Sequence, residues 1–233
     1  MISLEDLRGK HSGKSAVVVG AGPSARLTPM DVRDRHIVLV VNEAISMFPN
    51  PDYFCARDRT ILQARRYWPT ILKSGCVNIL FDSAGTVPIL NHFDQERTVI
   101  MTMKSRWEMN ARDKHVICGY SAQCAAHFAV MLGCSPIYLI GNECRYVDGK
   151  RQFSEFNTDG QSESDAIKSS EEVRDSFGMV QGINQEGEMS DSFLNLIFCA
   201  WLTISKKNPF VEIIDASDGR LGSVFPTIDA SCL

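Results

Sequence analysis

Short apolar runs recur along the chain with turn-forming residues between them: Ser15–Gly20, Ile37–Asn42, Tyr53–Ala56, Val77–Phe81, Thr98–Met101, Ile137–Ile140 and Val211–Ile214. Runs of this length, rich in β-branched and aromatic residues, read as strands. Between several of them lie segments of helical character, notably Thr60–Lys73, Ser121–Leu132 and Met189–Ser205. Strands alternating with helices predict β-α-β crossovers. The expected fold is α/β and Rossmann-like, a mostly parallel sheet with helices on both faces. No Pro/Gly/Ser linker divides the 233 residues, so a single domain over 1–233 is expected.

In parallel sheets ligands bind beyond the carboxyl ends of the strands, so the residues that end each strand carry the functional signal. Val17, Val18 and Val19 run directly into Gly20-Ala21-Gly22-Pro23-Ser24. Glycines allow backbone to approach a ligand closely, and Pro23 suits a first helical turn whose N–H groups could face a phosphate. Ser24 could cap the helix after it. The segment is neither a Walker motif nor a full dinucleotide fingerprint, since Ala25 stands where a third glycine would. A purely structural strand-to-helix turn is the alternative. The other strands end at Asn42-Glu43, Arg57-Asp58, Asp82-Ser83 and Gly141-Asn142-Glu143, which makes one polar rim above an apolar sheet.

Gly119-Tyr120-Ser121 opens an unusually small-residue helix that Gly133 ends. Its first N–H groups could meet an anionic or sugar group, although Ala-rich helices also pack closely on sheets for purely structural reasons. His127, among apolar neighbours, reads as a core histidine rather than a catalytic one. From 145 to 188 the chain turns polar, with Phe153, Phe156, Phe177 and Met179 spaced through it. A segment this long reads as a lid or insertion.

A net charge of −4 argues against a nucleic-acid partner, despite the local cluster of Arg57, Arg59, Arg65 and Arg66. No stretch has the length of a membrane span, and MISLEDLRGKHSGK lacks a signal-peptide core. A soluble, cytoplasmic protein is expected. Its eight scattered cysteines form no Cys-x-x-Cys pair, so buried reduced thiols are expected and no metal site.

Three blocks give the chain a family resemblance. Val18–Leu27 resembles a V-G-x-G-P-S-L segment; Ser121–Gly141, with LGCSPIYLIG, resembles a small-residue helix followed by L-G-x-x-x-I-x-L-x-G; and Ile213–Gly222, IIDASDGRLG, resembles a closing N-A-T-E-G-G-A-x-I-x-G segment. In order and spacing these are similar to the motility accessory factor flagellin glycosyltransferases and the archaeal 6-hydroxymethylpterin diphosphokinase-like proteins. More distantly they resemble the Campylobacter-type bacterial sialyltransferases.

The resemblance implies a nucleotide-dependent transferase. Its sialyltransferase branch implies a CMP-nonulosonate-like sugar donor held by Gly20–Ser24, Asn42 and Ser121, with no cofactor required. Ala21 departs from that branch, which carries Asn there. The wider binding set expected on the rim is Gly20, Ala21, Gly22, Pro23, Ser24, Asn42, Asp58, Gly119, Ser121, Gly141, Asn142 and Glu143. Asn142 and Glu143 are expected to orient ribose or sugar hydroxyls. That branch also uses a histidine before its last long helix, where this chain has none. Glu188 or Asp191 is then the candidate base, and Ser190 or Asp191 as a helix cap is the structural alternative.

The diphosphokinase branch would instead imply ATP, magnesium and paired aspartates after the third strand. Here Ala56-Arg57-Asp58-Arg59 leaves one aspartate among arginines, which favours glycosyl transfer without metal. A non-catalytic nucleotide-binding member of the family is the remaining alternative. The acceptor, a glycan or a protein, is open, as is homo-oligomerisation.

Overall fold

The computed structural model describes residues 2–48, 50–57, 68–82, 93–117, 119–148, 181–183 and 189–233, with the backbone alone at 68, 82, 181–183 and 189–193. Valines and isoleucines without interruption build β1 (Ala16–Val19) and β2 (Ile37–Val41), whose residues are all buried. That is the pattern of strands covered on both faces. They join β3 (Tyr53–Ala56), β4 (Val77–Asp82), β5 (Thr98–Lys104), β6 (Val116–Ile117), β7 (Ile137–Ile140) and β10 (Ile213–Asp215) in one parallel sheet. The order is β10-β7-β1-β2-β3-β4-β5-β6, so the chain works outward from β1 in one direction and then returns to its other side at β7. The topological switch point therefore lies between β1 and β7. A separate hairpin pairs β8 (Gln181–Ile183) with β9 (Met189–Asp191) antiparallel.

The helices are α1 (Leu4–Leu7), α2 (Val32–Arg35), α3 (Trp68–Ser74), α4 (Ser121–Met131) and α5 (Ser192–Lys207). Val18, Leu39, Cys55 and Ile79 face a core built with Cys124, Ala125, Phe128 and Ala129 of α4 and Trp201 and Ile204 of α5. Alternate residues Val17, Val19, Val38, Val40 and Phe54 face a second core with Val32 of α2 and Ile71 of α3. Helices thus cover both faces, as the alternating runs predict. The alanines of α4 let its backbone lie close on β1, β2 and β3.

One expectation is corrected. The helix expected over Met189–Ser205 starts at Ser192, because Met189–Asp191 is taken by pairing with Gln181–Ile183. Ser190 and Asp191 are therefore strand residues. The two-residue strand β6 is not foreseen by the apolar pattern, and the helix expected over Thr60–Lys73 is described only from Trp68. Most of the 145–188 segment, with Phe153, Phe156, Phe177 and Met179, lies outside the described residues.

Candidate functional site

The carboxyl ends of β1 and β7 are interlocked by glycine. A Cβ on Gly20 would lie 2.3 Å from the Gly141 carbonyl oxygen, and one on Gly141 would lie 2.5 Å from the Gly20 oxygen. Gly22 N–H donates to Gly141 O at 2.9 Å, and Gly141 N–H donates to Ser24 Oγ at 2.9 Å. After the turn, Pro23–Leu27 forms a five-residue 3-10 helix with Pro23 in its first turn and Gly22 as N-cap. Ser24 is thus inside the helix rather than its cap, and its hydroxyl holds the β7 loop.

Glu143 reaches into this turn. Its carboxylate accepts from the Ser24 N–H, and a Cβ on Gly22 would sit 1.8 Å from its Oε2. The N–H expected to be open to an anion is taken by the protein's own carboxylate. On its other side Glu143 lies against Gly219, where a Cβ would meet the Glu143 Cα at 2.4 Å, and its carbonyl accepts from Arg220 N–H at 2.9 Å. One residue therefore ties together the loops after β1, β7 and β10. Burial pushes the Glu143 carboxyl up to about 7, against the lowering effect of the Ser24 hydrogen bonds and helped by the nearby Asp215 charge. Asp215, also raised by burial, accepts from Ser217 N–H at 2.9 Å.

Asn142 is likewise internally engaged. Its Nδ2 donates to Ile140 O at 3.0 Å, and its N–H donates to Ser217 Oγ at 3.1 Å. Asn142 and Glu143, expected to orient ligand hydroxyls, both hold neighbouring loops in this arrangement. Asp215 and Ser217 do not stand out in the sequence; two polar residues within the closing IIDASDGRLG block are the available signal.

The other half of the rim is less committed. Asn42 follows β2 directly with φ of 54°, and its buried Oδ1 has no hydrogen-bond partner among the described residues. At the end of β3 the half-buried Arg57 donates to Gly119 O, which brings its guanidinium to the start of α4. There Tyr120 N–H donates to Gln123 Oε1 at 2.9 Å, and the buried Ser121 opens the helix. Gln123 Nε2 in turn donates to Ile197 O of α5 at 3.1 Å. In the sequence Arg57 belongs to a basic cluster and is not in the expected binding set; its place at a strand end is the signal. The structure brings Gly20–Ser24, Asn42, Gly119, Ser121 and Gly141–Glu143 to one sheet edge.

Asp58 and Glu188 lie outside the described residues, and Asp191 is described by backbone alone. His127 is fully buried: its Nδ1 accepts from Ile117 N–H at 3.1 Å, and its Nε2 lies 3.3 Å from Asn110 O and 3.4 Å from Asp113 Oδ2. Asn110 N–H also donates to Nε2 at 3.0 Å, so a backbone N–H points at each ring nitrogen. Burial holds its pKa down at about 4. It is a core histidine, as expected. Cys55, Cys76, Cys124, Cys134 and Cys144 are buried free thiols, while Cys199 and Cys232 are exposed. Among the described residues no helix is long and apolar enough to cross a membrane.

The fold is similar to that of the MAf glycosyltransferase from Magnetospirillum magneticum AMB-1. The match has a TM-score of 0.58, covers 97% of this chain and has 12% sequence identity. This chain spans 36% of that protein's length. No protein-family model and no curated protein sequence matches it. The resemblance read from the three sequence blocks is thus met at the level of the fold.

Proposed function

We propose that the protein is a nucleotide-dependent transferase, specifically a glycosyltransferase that takes a CMP-nonulosonate-like sugar donor. The observation that carries this reading is the rim itself: Asn42, Arg57 and the opening of α4 meet at the carboxyl edge of a glycosyltransferase-like sheet. Arg57 supplies the charge that neutralises the donor phosphate, with the N–H groups at the start of α4 beside it. Asn42 Oδ1 accepts from a ribose or base group, which gives this buried acceptor a partner that it lacks among the described residues. No cofactor is required in this reading, because arginines stand beside Asp58 where a paired-aspartate magnesium site would need carboxylates.

Inverting transfer needs a base on the acceptor hydroxyl, and Glu188 or Asp191 takes that role. The buried free thiols suit a reducing compartment, which supports action in the cytoplasm. Calorimetric titration with CMP, UMP and ATP, the last with and without magnesium, tests the reading. CMP binding is expected; absence of binding by all three overturns it. Magnesium-dependent ATP binding without CMP binding would replace it with pyrophosphoryl transfer.

A further inference from the structure

α5 carries apolar side chains on its outer side as well as its inner one. Leu194, Ala200, Trp201 and Ile204 are buried in the protein. The other side presents Leu196, 59% exposed, with Cys199 also exposed, Leu202 and Thr203 half-buried, and Lys206 and Lys207 exposed at the end. At helical spacing Leu196, Cys199, Thr203 and the two lysines share one face. The turn after the helix holds Phe210 out, 99% exposed. From Ser192 to Val211 the chain has those two lysines and no Asp or Glu, although the protein as a whole carries a charge of −4. A solvated helix face ordinarily mixes charges of both signs, as Val32–Arg35 does.

We infer that this face docks on an anionic lipid surface, with α5 lying along the bilayer and the Phe210 ring inserted at its end. The helix has 16 residues and gives Trp201 and Ile204 to the core, so it lies on a membrane rather than across one. Leucine and phenylalanine supply the attraction to the acyl boundary, and the lysines select anionic headgroups. A ring that stands clear of the protein enters a fluid layer directly, whereas a protein partner would need a pocket shaped for it. Two carboxylates lie at this end. Glu108 meets Lys207 at 3.5 Å, but both are 56% exposed, and such a pair is screened and weak. Glu212, also exposed, follows Phe210 and Val211. Gln123 Nε2 joins Ile197 of α5 to the opening of α4, so a bilayer along α5 runs up to the α4 side of the rim.

Flotation of the full chain with vesicles tests the docking. Vesicles of phosphatidylcholine and phosphatidylglycerol in equal parts are expected to carry the protein up, and vesicles of phosphatidylcholine alone to leave it behind. Each lysine near an anionic surface contributes about fivefold to partitioning, so Lys206→Glu with Lys207→Glu should weaken binding at least about tenfold. Phe210→Ser should weaken it by about tenfold through the lost apolar burial. All three side chains are exposed, so the variants are expected to keep the fold. Alkylation of Cys199, read by mass spectrometry, should be rapid in the free protein and slowed on anionic vesicles. Failure to float with anionic vesicles overturns the inference, as does flotation that both variants leave unchanged. Cys199 that resists alkylation without lipid overturns it too, because the face would then be covered already, by the chain itself or by a second copy. Nucleotide titrations are made without lipid, so the docking and the transferase reading can fail independently.

Discussion

Gly20 and Gly141 stand back to back across the switch point of the sheet, each within reach of the other's carbonyl oxygen. A Cβ on either would approach within 2.5 Å. Gly141 also has φ of 72°, a left-handed conformation that side chains disfavour. Gly20→Ala and Gly141→Ala are each expected to lower stability by about 2–4 kcal/mol, as overpacking against backbone leaves nothing soft to move. Urea denaturation measures this. A loss under about 0.5 kcal/mol, the range of neutral surface changes, would mean that the two strand ends are not interlocked.

Gly22 differs in part, because the nearest atom a Cβ there would strike is the end of the Glu143 side chain, with the Gly141 carbonyl oxygen next at 2.8 Å. Gly22→Ala should destabilise the wild type and cost less in a Glu143→Ser background, where only the clash with the Gly141 carbonyl oxygen remains. The coupling expected in a double-mutant cycle is about 1–3 kcal/mol. Additive effects would show that Glu143 does not lie over Gly22.

Glu143 and His127 give opposite pH slopes. Glu143 keeps its proton to about 7 when folded, against an ordinary 4.5, so its contribution is fullest below 4.5 and is lost as pH rises towards 7. His127 stays neutral down to about 4 when folded, against an ordinary 6.5, so its contribution is present above 6.5 and is lost as pH falls towards 4. Each amounts to on the order of 3 kcal/mol, and within the wild type they largely cancel. Glu143→Gln should unmask the loss of stability on acidification, and His127→Gln the loss on going towards neutral pH. Denaturation midpoints across this range test both signs, and a variant with the wild-type profile would contradict the burial of that group.

Arg57 separates charge recognition from ribose and base recognition. Arg57→Ala is expected to weaken CMP binding about tenfold while leaving cytidine binding within about twofold, and added salt should narrow the difference. Asn42→Ala should weaken both ligands in parallel. Calorimetry with the two ligands distinguishes these outcomes. Equal losses for CMP and cytidine in Arg57→Ala would remove the phosphate role from this side chain.

Much of the fold is written locally. The Val17–Val19 and Ile37–Val41 runs are uninterrupted because both faces of their strands are covered, and such runs are visible without a partner in view. The rim derives from them, since whatever ends a parallel strand lies on the same edge. What stayed hidden depends on partners remote in sequence. Met189–Asp191 continues a helical pattern and becomes a strand only because Gln181–Ile183 pairs with it. Val116–Ile117 is too short to signal a strand, and its position is pinned by His127 through the Ile117 N–H. Glu143 reads as a rim carboxylate, but its hydrogen bond runs to Ser24, 119 residues away. Nothing near it in the chain reveals that the glycines of the first turn are shaped to receive it.

The sheet order sets a timetable for the newborn chain. β1 gains β2 almost at once, but its other side is closed by β7, where Ala16 meets Ile137. Until β7 emerges from the ribosome, β1 is an apolar strand with a bare edge, the kind that invites pairing with the wrong chain. The small-residue helix α4 is made just before β7 and packs on β1, β2 and β3. It can therefore shield one face of that half-built sheet at the moment its missing strand arrives.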